Sequence, residues 1–188
     1  MTIHATAFVQ ETAIVEPGAE VGEDCRIWHH CHIRSGAKVG ARSSLGKNVF
    51  VDEGAVVGDG CKVQNNVSIY RGVTLEDLVF VGPSAVFTND LNPRAENSTW
   101  VPVPTLVRRG ASIGANATIL CGITIGSYAL VGAGAVVTVD VGPHQLVVGN
   151  PAHRVGWVCA CGQVIQKGGT TLSAITCSFC GRSSQPGL

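Results

Sequence analysis

Four cysteines towards the C-terminal end of the chain have the spacing of a metal site. Cys159 and Cys161 form one short pair, Cys177 and Cys180 form the other, and a glycine directly follows each pair. Two such pairs hold a tetrahedral Zn²⁺ in structural zinc ribbons, where four sulfur ligands leave no coordination position open for a substrate. The spacing therefore predicts a structural zinc ribbon in residues 157–182, a segment too small to build its own hydrophobic core. Residues 183–188 are then a tail.

The same cysteines could instead form two disulfides, and the expected compartment bears on this choice. Disulfides belong to oxidising compartments such as the extracellular space. The stretch Thr2–Thr12 mixes polar and apolar residues without a secretion signal, and no apolar run reaches the length of a membrane span. We therefore expect a cytoplasmic protein and favour zinc over disulfides.

A regular series of apolar residues indicates the elements that would carry an active site. Every sixth residue from Ile3 to Phe87 is large and apolar. A second series consists of small or apolar residues, each of which follows a member of the first series by four positions. The pattern breaks after Phe87 and resumes in a shifted phase from Val107 to Val137. A period of six fits neither an α-helix nor a simple alternating strand. It predicts an all-β solenoid of short strands and turns, interrupted by an inserted loop at 88–106.

The repeat also predicts the place of the remaining cysteines and of the turn residues. Cys25, Cys31 and Cys61 occupy the small inward position, so we expect them in the core, whereas Cys121 lies at a turn-like position and is expected to be exposed. Counting by eighteen aligns two columns of turn residues, one of glycines and one that includes several asparagines, where a positive φ is expected. The members are Gly18, Gly36, Gly54 and Gly72 in the first column, and His30, Asn48, Asn66 and Ser84 in the second.

These hexads resemble those of the hexapeptide-repeat acyltransferases. The resemblance implies a left-handed parallel β-helix, in which three hexads complete each turn of a triangular prism. Counted in this way, residues 1–156 give about seven coils at a spacing of about 4.8 Å. The expected fold is therefore a left-handed parallel β-helix with an inserted loop, followed by the small zinc ribbon.

Longer stretches resemble one group in that family, the bacterial nucleotide-sugar 3-N-acetyltransferases. They are RIWHHCHI at 26–33, LGKNVFV at 45–51, KVQNNVSIYRGVTLED at 62–77, VFVGPSAVFTNDLNPRA at 79–95 and LVVGNPAHRVGWV at 146–158. The resemblance implies transfer of acetyl from acetyl-CoA to the amino group of a nucleotide-linked amino sugar. It also implies a homotrimer with its active sites in the clefts between neighbouring prisms.

Three residues are candidates for the chemistry. Asn89 matches the family's asparagine that contacts the sugar amine, and it is the first candidate because an amine brings its own lone pair and needs positioning more than a strong base. His29 matches the histidine of the family's IWH stretch and is the candidate acid or base for a hydroxyl acceptor; a structural corner histidine is the alternative. Asp90 is a candidate base or a contact for the acceptor.

Six further residues are candidates for binding. Asn65, Asn66 and Tyr70 lie on the coil before Asn89 and are expected to line the sugar cleft, although stacking at the corners also explains them. Arg108, Arg109 and Arg154 are candidates for the phosphates of CoA, because guanidinium groups bind phosphate through two parallel donors. A solvated charge is the alternative for each arginine.

Two departures from the resemblance leave the acceptor open. Asp90 and Leu91 follow Asn89 where many of these N-acetyltransferases have Val-Tyr, and the cysteine ribbon is commonly absent from them. A sugar O-acetyltransferase is therefore the main alternative. A γ-type carbonic anhydrase is disfavoured because His29, His30 and His32 share one coil and no histidine follows until His144. A noncatalytic scaffold is the third alternative.

The overall charge excludes one class of partner. The chain has 13 Lys and Arg against 13 Asp and Glu, so its formal net charge is zero. A nucleic-acid-binding protein or a protein that binds an anionic membrane surface normally carries a basic face. We therefore expect small-molecule substrates rather than nucleic acid.

Overall fold

The computed structural model describes residues 2–172 and 174–183. Of the predicted tail, only Ser183 falls within this range, and residues 184–188 lie outside the described residues. The described chain is all-β, as predicted. It contains no helix that is long and apolar enough to cross a membrane.

Short strands follow one another around the prism, and every third strand returns to the same face. In chain order they are β1 Thr2–Ile3, β2 Phe8–Val9, β3 Ile14–Val15, β4 Glu20–Val21, β5 Arg26–Ile27, β6 His32–Ile33, β7 Lys38–Val39, β8 Ser44–Leu45, β9 Phe50–Val51, β10 Val56–Val57, β11 Lys62–Val63, β12 Ser68–Ile69, β13 Val73–Leu75, β14 Phe80–Val81, β15 Val86–Phe87, β16 Thr105–Val107, β17 Ser112–Ile113, β18 Thr118–Ile119, β19 Thr124–Ile125, β20 Leu130–Val131 and β21 Val136–Val137. Face A begins with β1, face B with β2 and face C with β3.

All pairings between these strands are parallel, and the register steps by eighteen residues. Val57 of β10, for example, lies between Val39 of β7 and Leu75 of β13. Seven strands stack on each face of the prism, and an isolated bridge at Val141 together with β22 begins an eighth turn. The prediction of a parallel β-helix with about seven coils is therefore confirmed.

The core consists of the two predicted inward series. The second residue of each central strand is buried, and Leu45, Ile69 and Ile119 are fully inaccessible to solvent. The small series fills the space behind the corners, where Cys25, Cys31 and Cys61 are buried as predicted. Each strand covers its aliphatic residue only against the coils above and below, so the packing grows by stacking.

Three corners connect the faces, and each is named here by the faces it joins. In the coil that begins at β4, residues 22–25 form the AB corner, 28–31 the BC corner and 34–37 the CA corner. The predicted glycine column lies at the CA corner, with φ of +90° at Gly18 and +91° at Gly72. The second column lies at the BC corner, where Asn48 and Asn66 have φ of 60° and 62°. Asparagine tolerates this left-handed conformation better than most residues.

The inserted loop leaves and re-enters the prism at the CA corner. Its predicted end at 106 is wrong, because β16 already begins at Thr105 and pairs with β13 from Val73 onwards. The loop therefore covers 88–104. The predicted exposure of Cys121 is also wrong: this residue is only 3% exposed, and its N–H donates to Oγ1 of Thr88 at the start of the loop. The loop covers the corner position that the repeat alone would leave open.

Three longer strands close the C-terminal end. β22 (Gln145–Val148) continues face B in parallel, and β23 (His153–Val158) and β24 (Val164–Lys167) follow it in antiparallel pairing. β23 runs directly into the first cysteine pair, so the cysteine module is attached to the prism through a continuous sheet.

Candidate functional site

The four predicted metal ligands come together in the structure. Sγ of Cys159 lies 3.5 Å from Sγ of Cys180, Sγ of Cys161 lies 3.7 Å from Sγ of Cys177, and all four sulfurs lie within 4.8 Å of one another. A tetrahedral Zn²⁺ with bonds of about 2.3 Å spaces its sulfurs by about 3.8 Å, whereas a disulfide requires about 2.0 Å. The donor set and its spacing fit a metal ion and do not fit two disulfides.

The thiols of this cluster have different acidities. The backbone N–H groups of Cys180 and Phe179 lower the pKa of Cys177 to about 7. Burial raises the pKa of Cys159 to about 12. Metals bind cysteine as the thiolate, so a cation in the cluster would supply the positive charge that the buried Cys159 thiolate needs.

The first knuckle of the cysteine module is fixed to the end of the prism. Val158, which precedes Cys159, donates its N–H to the carbonyl of His144 at 2.8 Å and accepts from Nδ1 of the same histidine at 2.9 Å. His144 in turn donates its N–H to the carbonyl of Ser127 at 2.9 Å and stacks on Tyr128, with 5.3 Å between the ring centroids. The module is therefore held by the backbone and one aromatic stack.

Asn89 lies at the CA corner, at the neck of the inserted loop. Its side-chain Nδ2 donates to the carbonyl of Arg71, 3.4 Å away on the coil below, and its own carbonyl accepts from the N–H of Val103 at 2.9 Å. Among the described residues no donor contacts Oδ1 of Asn89, so this oxygen remains available as an acceptor. Asn89 is thus positioned from below by the prism and from behind by the loop.

Two glycines make room for this neck. Gly72 has φ of +91°, and a side chain at this position would lie 3.5 Å from Cβ of Pro102. Gly122 has φ of +83°, and a side chain there would lie 3.2 Å from Cγ1 of Val103. Both positions have the left-handed conformation that favours glycine. At Gly122 a Cβ would also approach Val103 more closely than an ordinary contact, so the missing side chain there leaves room for the loop.

Asp90 and Tyr70 lie near Asn89, and each contacts a neighbouring residue of the chain. Oδ1 of Asp90 accepts the N–H of Asn92 at 2.9 Å, as in an Asx turn. Tyr70 is about one-third exposed on the coil below, and its ring packs edge-on against Phe50 at 6.2 Å. Its ring remains accessible at this corner and is compatible with the predicted role in substrate binding.

Three predicted site residues from earlier coils, His29, Asn65 and Asn66, lie at the BC corner. Nδ1 of the exposed His29 lies 3.1 Å from Oγ1 of Thr12, so its Nε2 is free of protein contacts among the described residues. Asn65 accepts the N–H of Lys47 at 2.8 Å, and Asn66 accepts from Nδ2 of Asn48 at 3.0 Å. These asparagines stack along the corner. Within one chain, His29 and Asn89 are therefore on different corners of the prism.

The three arginines predicted to bind CoA already have partners. Arg108 forms an ion pair with Glu76 at 3.2 Å, and Arg109 forms one with Asp77 at 2.8 Å, both at the AB corner. Arg154 stacks over the ring of Trp157 at 4.9 Å and donates to the carbonyl of Thr170. All three remain exposed to solvent.

The structure does not support a histidine metal site. In the described residues, the four cysteines are the only group of three or more metal-ligating side chains that come close enough to share an ion. The rings of His29 and His30 are 6.1 Å apart, and His32 instead bonds Glu16 through Nε2 at 2.7 Å.

One residue of this region was missed by the sequence analysis. Arg71 precedes Asn89 by eighteen residues, so it lies directly below it in the same corner column, and its side chain is exposed. The eighteen-residue count was sufficient to find it. The three arginines predicted to bind phosphate, Arg108, Arg109 and Arg154, all follow the inserted loop instead.

Two repeat families match the chain. The family described as bacterial transferase hexapeptide (six repeats) matches residues 18–53 and 104–138, and the hexapeptide repeat of succinyl-transferase matches residues 36–71. The two matches flank the inserted loop and leave the cysteine module uncovered. No curated protein sequence matches the chain.

Several solved structures share the prism. A hexapeptide-repeat acetyltransferase from Vibrio cholerae, complexed with acetyl coenzyme A, is 28% identical with a TM-score of 0.56, over 66% of this chain and 72% of that one. A maltose O-acetyltransferase from Clostridium difficile is 27% identical with a TM-score of 0.58, over 64% and 69%. A perosamine N-acetyltransferase from Caulobacter crescentus, in complex with CoA and GDP-perosamine, is 23% identical with a TM-score of 0.44, over 80% and 57%. This chain thus spans little more than half of that longer protein. The repeat, the three-faced parallel β-helix and the similarity to two acetyltransferase structures together support a hexapeptide-repeat acyltransferase.

Proposed function

We propose that the protein transfers the acetyl group of acetyl-CoA to the amino group of a nucleotide-linked amino sugar. The observation that carries this proposal is the geometry of Asn89. Its Nδ2 is bonded to the prism, its backbone carbonyl is bonded to the loop, and its Oδ1 is free to accept a hydrogen bond. A fixed amide oxygen is suited to hold the N–H of an amine whose lone pair must point at a thioester.

The reaction needs positioning more than proton removal. The unprotonated amine attacks the thioester carbonyl, the new N–C bond forms, and the C–S bond breaks with release of the CoA thiolate. By accepting one N–H, Oδ1 of Asn89 would fix the direction of the nitrogen lone pair. The surplus proton of the new amide nitrogen passes to the departing thiolate or to water. Tyr70 would contribute to the sugar side of the site.

The proposed assembly is a homotrimer with the site between two chains. Because Asn89 and His29 lie at different corners of one prism, a single chain leaves the CA corner open to solvent. A neighbouring prism that packs beside this corner would supply its own BC corner, with His29, Asn65 and Asn66, to the same cleft. Arg108, Arg109 and Arg154 would then act on CoA only by exchanging their present partners for phosphate.

Asn89→Ala tests the proposed role directly. We expect kcat/KM with the preferred amino sugar to fall about 100-fold, the scale of losing the orientation of one reacting group. The measurement is thiol release from acetyl-CoA with UDP- and dTDP-linked amino sugars and their hydroxyl counterparts. Unchanged turnover in an Asn89→Ala protein of native oligomeric state would disprove the role.

Sugar O-acetylation is the second candidate, and two observations favour it. The maltose O-acetyltransferase is 27% identical over 64% of this chain, and Nε2 of His29 is free while Nδ1 contacts Thr12. A hydroxyl acceptor requires a general base, and this histidine geometry would provide one. Thiol release only with hydroxyl sugars, abolished by His29→Gln, would establish this candidate in place of the first.

A further inference from the structure

The acceptor proposed above carries a diphosphate, and the site residues named so far include no free cation to bind it. We propose, on the basis of the proposed function, that Arg71 binds the diphosphate of the acceptor. Arg71 would thereby select nucleotide-linked sugars over neutral ones. This assigns to Arg71 a role in substrate specificity at the CA corner, next to Asn89.

Arg71 differs from the other corner arginines in having no ion-pair partner. Arg34 pairs with Asp52 at 3.0 Å, Arg42 with Glu23 at 3.0 Å, and Arg108 and Arg109 pair with Glu76 and Asp77. No described carboxylate lies within 4.0 Å of the guanidinium of Arg71, which is exposed. Its planar set of donors is therefore available for a phosphate, which it can bind through two parallel hydrogen bonds.

The main chain of Arg71 is held although its side chain is free. Its N–H donates to Oδ2 of Asp52 at 3.2 Å, and its carbonyl accepts from Nδ2 of Asn89 at 3.4 Å. The side chain thus begins at a fixed peptide that touches the proposed amine-binding residue. Arg71 and Asn89 lie on adjacent coils of the same corner, about 4.8 Å apart along the stack. An amine at Asn89 and a diphosphate at Arg71 would then belong to one nucleotide-linked aminohexose.

The neighbouring acids do not neutralise this cation. The Asp52 carboxylate already accepts from Arg34, from the N–H of Arg71 and from the N–H of Glu53. Glu53 is exposed one coil below Arg71 in the same column, beyond ion-pair distance. On the inserted loop, Arg94 directs its guanidinium to the carbonyl of Pro93. Arg71 is thus the unpaired cation on the corner column that contains Asn89.

Arg71→Gln tests the inference, and Arg26→Gln is the matched control. Arg26 is also exposed and also has no carboxylate partner among the described residues, but it lies on face B. We expect Arg71→Gln to raise the KM for the nucleotide-linked sugar about tenfold or more, with the KM for acetyl-CoA unchanged. Arg26→Gln should change neither constant, and Arg71→Lys should restore part of the effect as a point charge. Equal KM values for the sugar in the Arg71→Gln and wild-type proteins would overturn the inference.

A binding measurement separates this inference from the proposed reaction. Calorimetric titration with UDP and dTDP requires no acyl transfer, and we expect binding to weaken about tenfold or more in Arg71→Gln but not in Arg26→Gln. Nucleotide binding that depends on Arg71, without thiol release from any amino sugar, would refute the acyl transfer and leave the anion site standing. Thiol release that is the same for nucleotide-linked and free amino sugars, in wild type and Arg71→Gln alike, would refute the anion site and leave the acyl transfer standing.

Discussion

The prism and the cysteine module are stabilised in opposite ways. In the prism, every coil buries two inward side chains per hexad, and a continuous aliphatic core runs from Ala19 to Val147. The module contributes little to this core; its buried groups are Trp157, Val158 and two of the four cysteines. A repeat is stabilised by its neighbours, whereas a segment this small depends on a crosslink or a metal. One chain thus combines a prism that is specified by a sequence repeat with a module that is specified by four cysteines.

Removal of a metal ion held by the four cysteines should have the largest effect, and this effect should be confined to the module. We expect a chelator, or Cys159→Ser combined with Cys177→Ser, to abolish the hydrogen-exchange protection of the Cys159, Gly162 and Cys177 amides, which are bonded within the module. Structural zinc contributes folding free energy of about 10–16 kcal/mol in zinc-finger peptides, so the module has no comparable substitute. Zinc content and amide exchange are the measurements.

The prism is the internal control for that experiment. Amides of the central coils, such as those of Val63 and Ile69, should keep their protection, and Cys61→Ala should leave one zinc per chain. A chelated protein whose module keeps full protection would show that the contacts to His144 suffice without metal. The module would then be stabilised, like the prism, by its contacts with neighbouring residues and not by a metal.

Ile69→Ala should produce the next largest effect, and only in the prism. Ile69 is fully buried, so its truncation should lower the free energy of unfolding by about 2–5 kcal/mol. Val86→Ala is the matched control on the same face, because Val86 points outward and is 47% exposed; its cost should be well below 1 kcal/mol. Denaturant unfolding measures both. Zinc content that falls in Ile69→Ala would show that the module depends on the prism core.

Gly122→Ala should have the smallest effect on stability but a larger one on activity. Its φ of +83° costs a non-glycine residue about 1–2 kcal/mol, and the new Cβ would meet Val103. Gly134→Ala is the matched control, because Gly134 has φ of +69° and open space around it. Both variants should lose similar stability, measured by thermal unfolding, whereas only Gly122→Ala should lower turnover by moving the neck at Asn89. Equal turnover in the two variants would exclude an effect of the neck on Asn89.

Sequence alone was sufficient wherever position in the repeat determines the environment. Ile69 and Cys61 are buried because of their place in the hexad, and Asn48 has a positive φ because of its place in the eighteen-residue column. The four cysteines were equally predictable, since their spacing is local to each knuckle. In both cases the spacing of residues along the chain determines their environment, and no long-range contact competes with it.

The inserted loop limits this kind of prediction. It shifts the register by an amount that periodicity does not give, so the pairs Arg108–Glu76 and Arg109–Asp77 span 32 residues instead of eighteen. The burial of Cys121 also depends on where the loop re-enters. Likewise, the separation of His29 and Asn89 onto different corners follows from the coil count, but the proposed meeting of the two residues depends on an assembly of chains that the repeat of one chain does not encode.

The closed neck of the loop has a consequence for how this protein can evolve. The N–H of Val103 bonded to the carbonyl of Asn89 fixes both ends of the loop, so the residues between them can change in number without altering any strand register. Each doubling of loop length costs only about 0.6 kcal/mol in closure entropy. Mutation can therefore lengthen, shorten or replace the segment between the two ends at little cost in stability, while Asn89 stays in place at the corner. The sequence of the loop can in this way change independently of the fold.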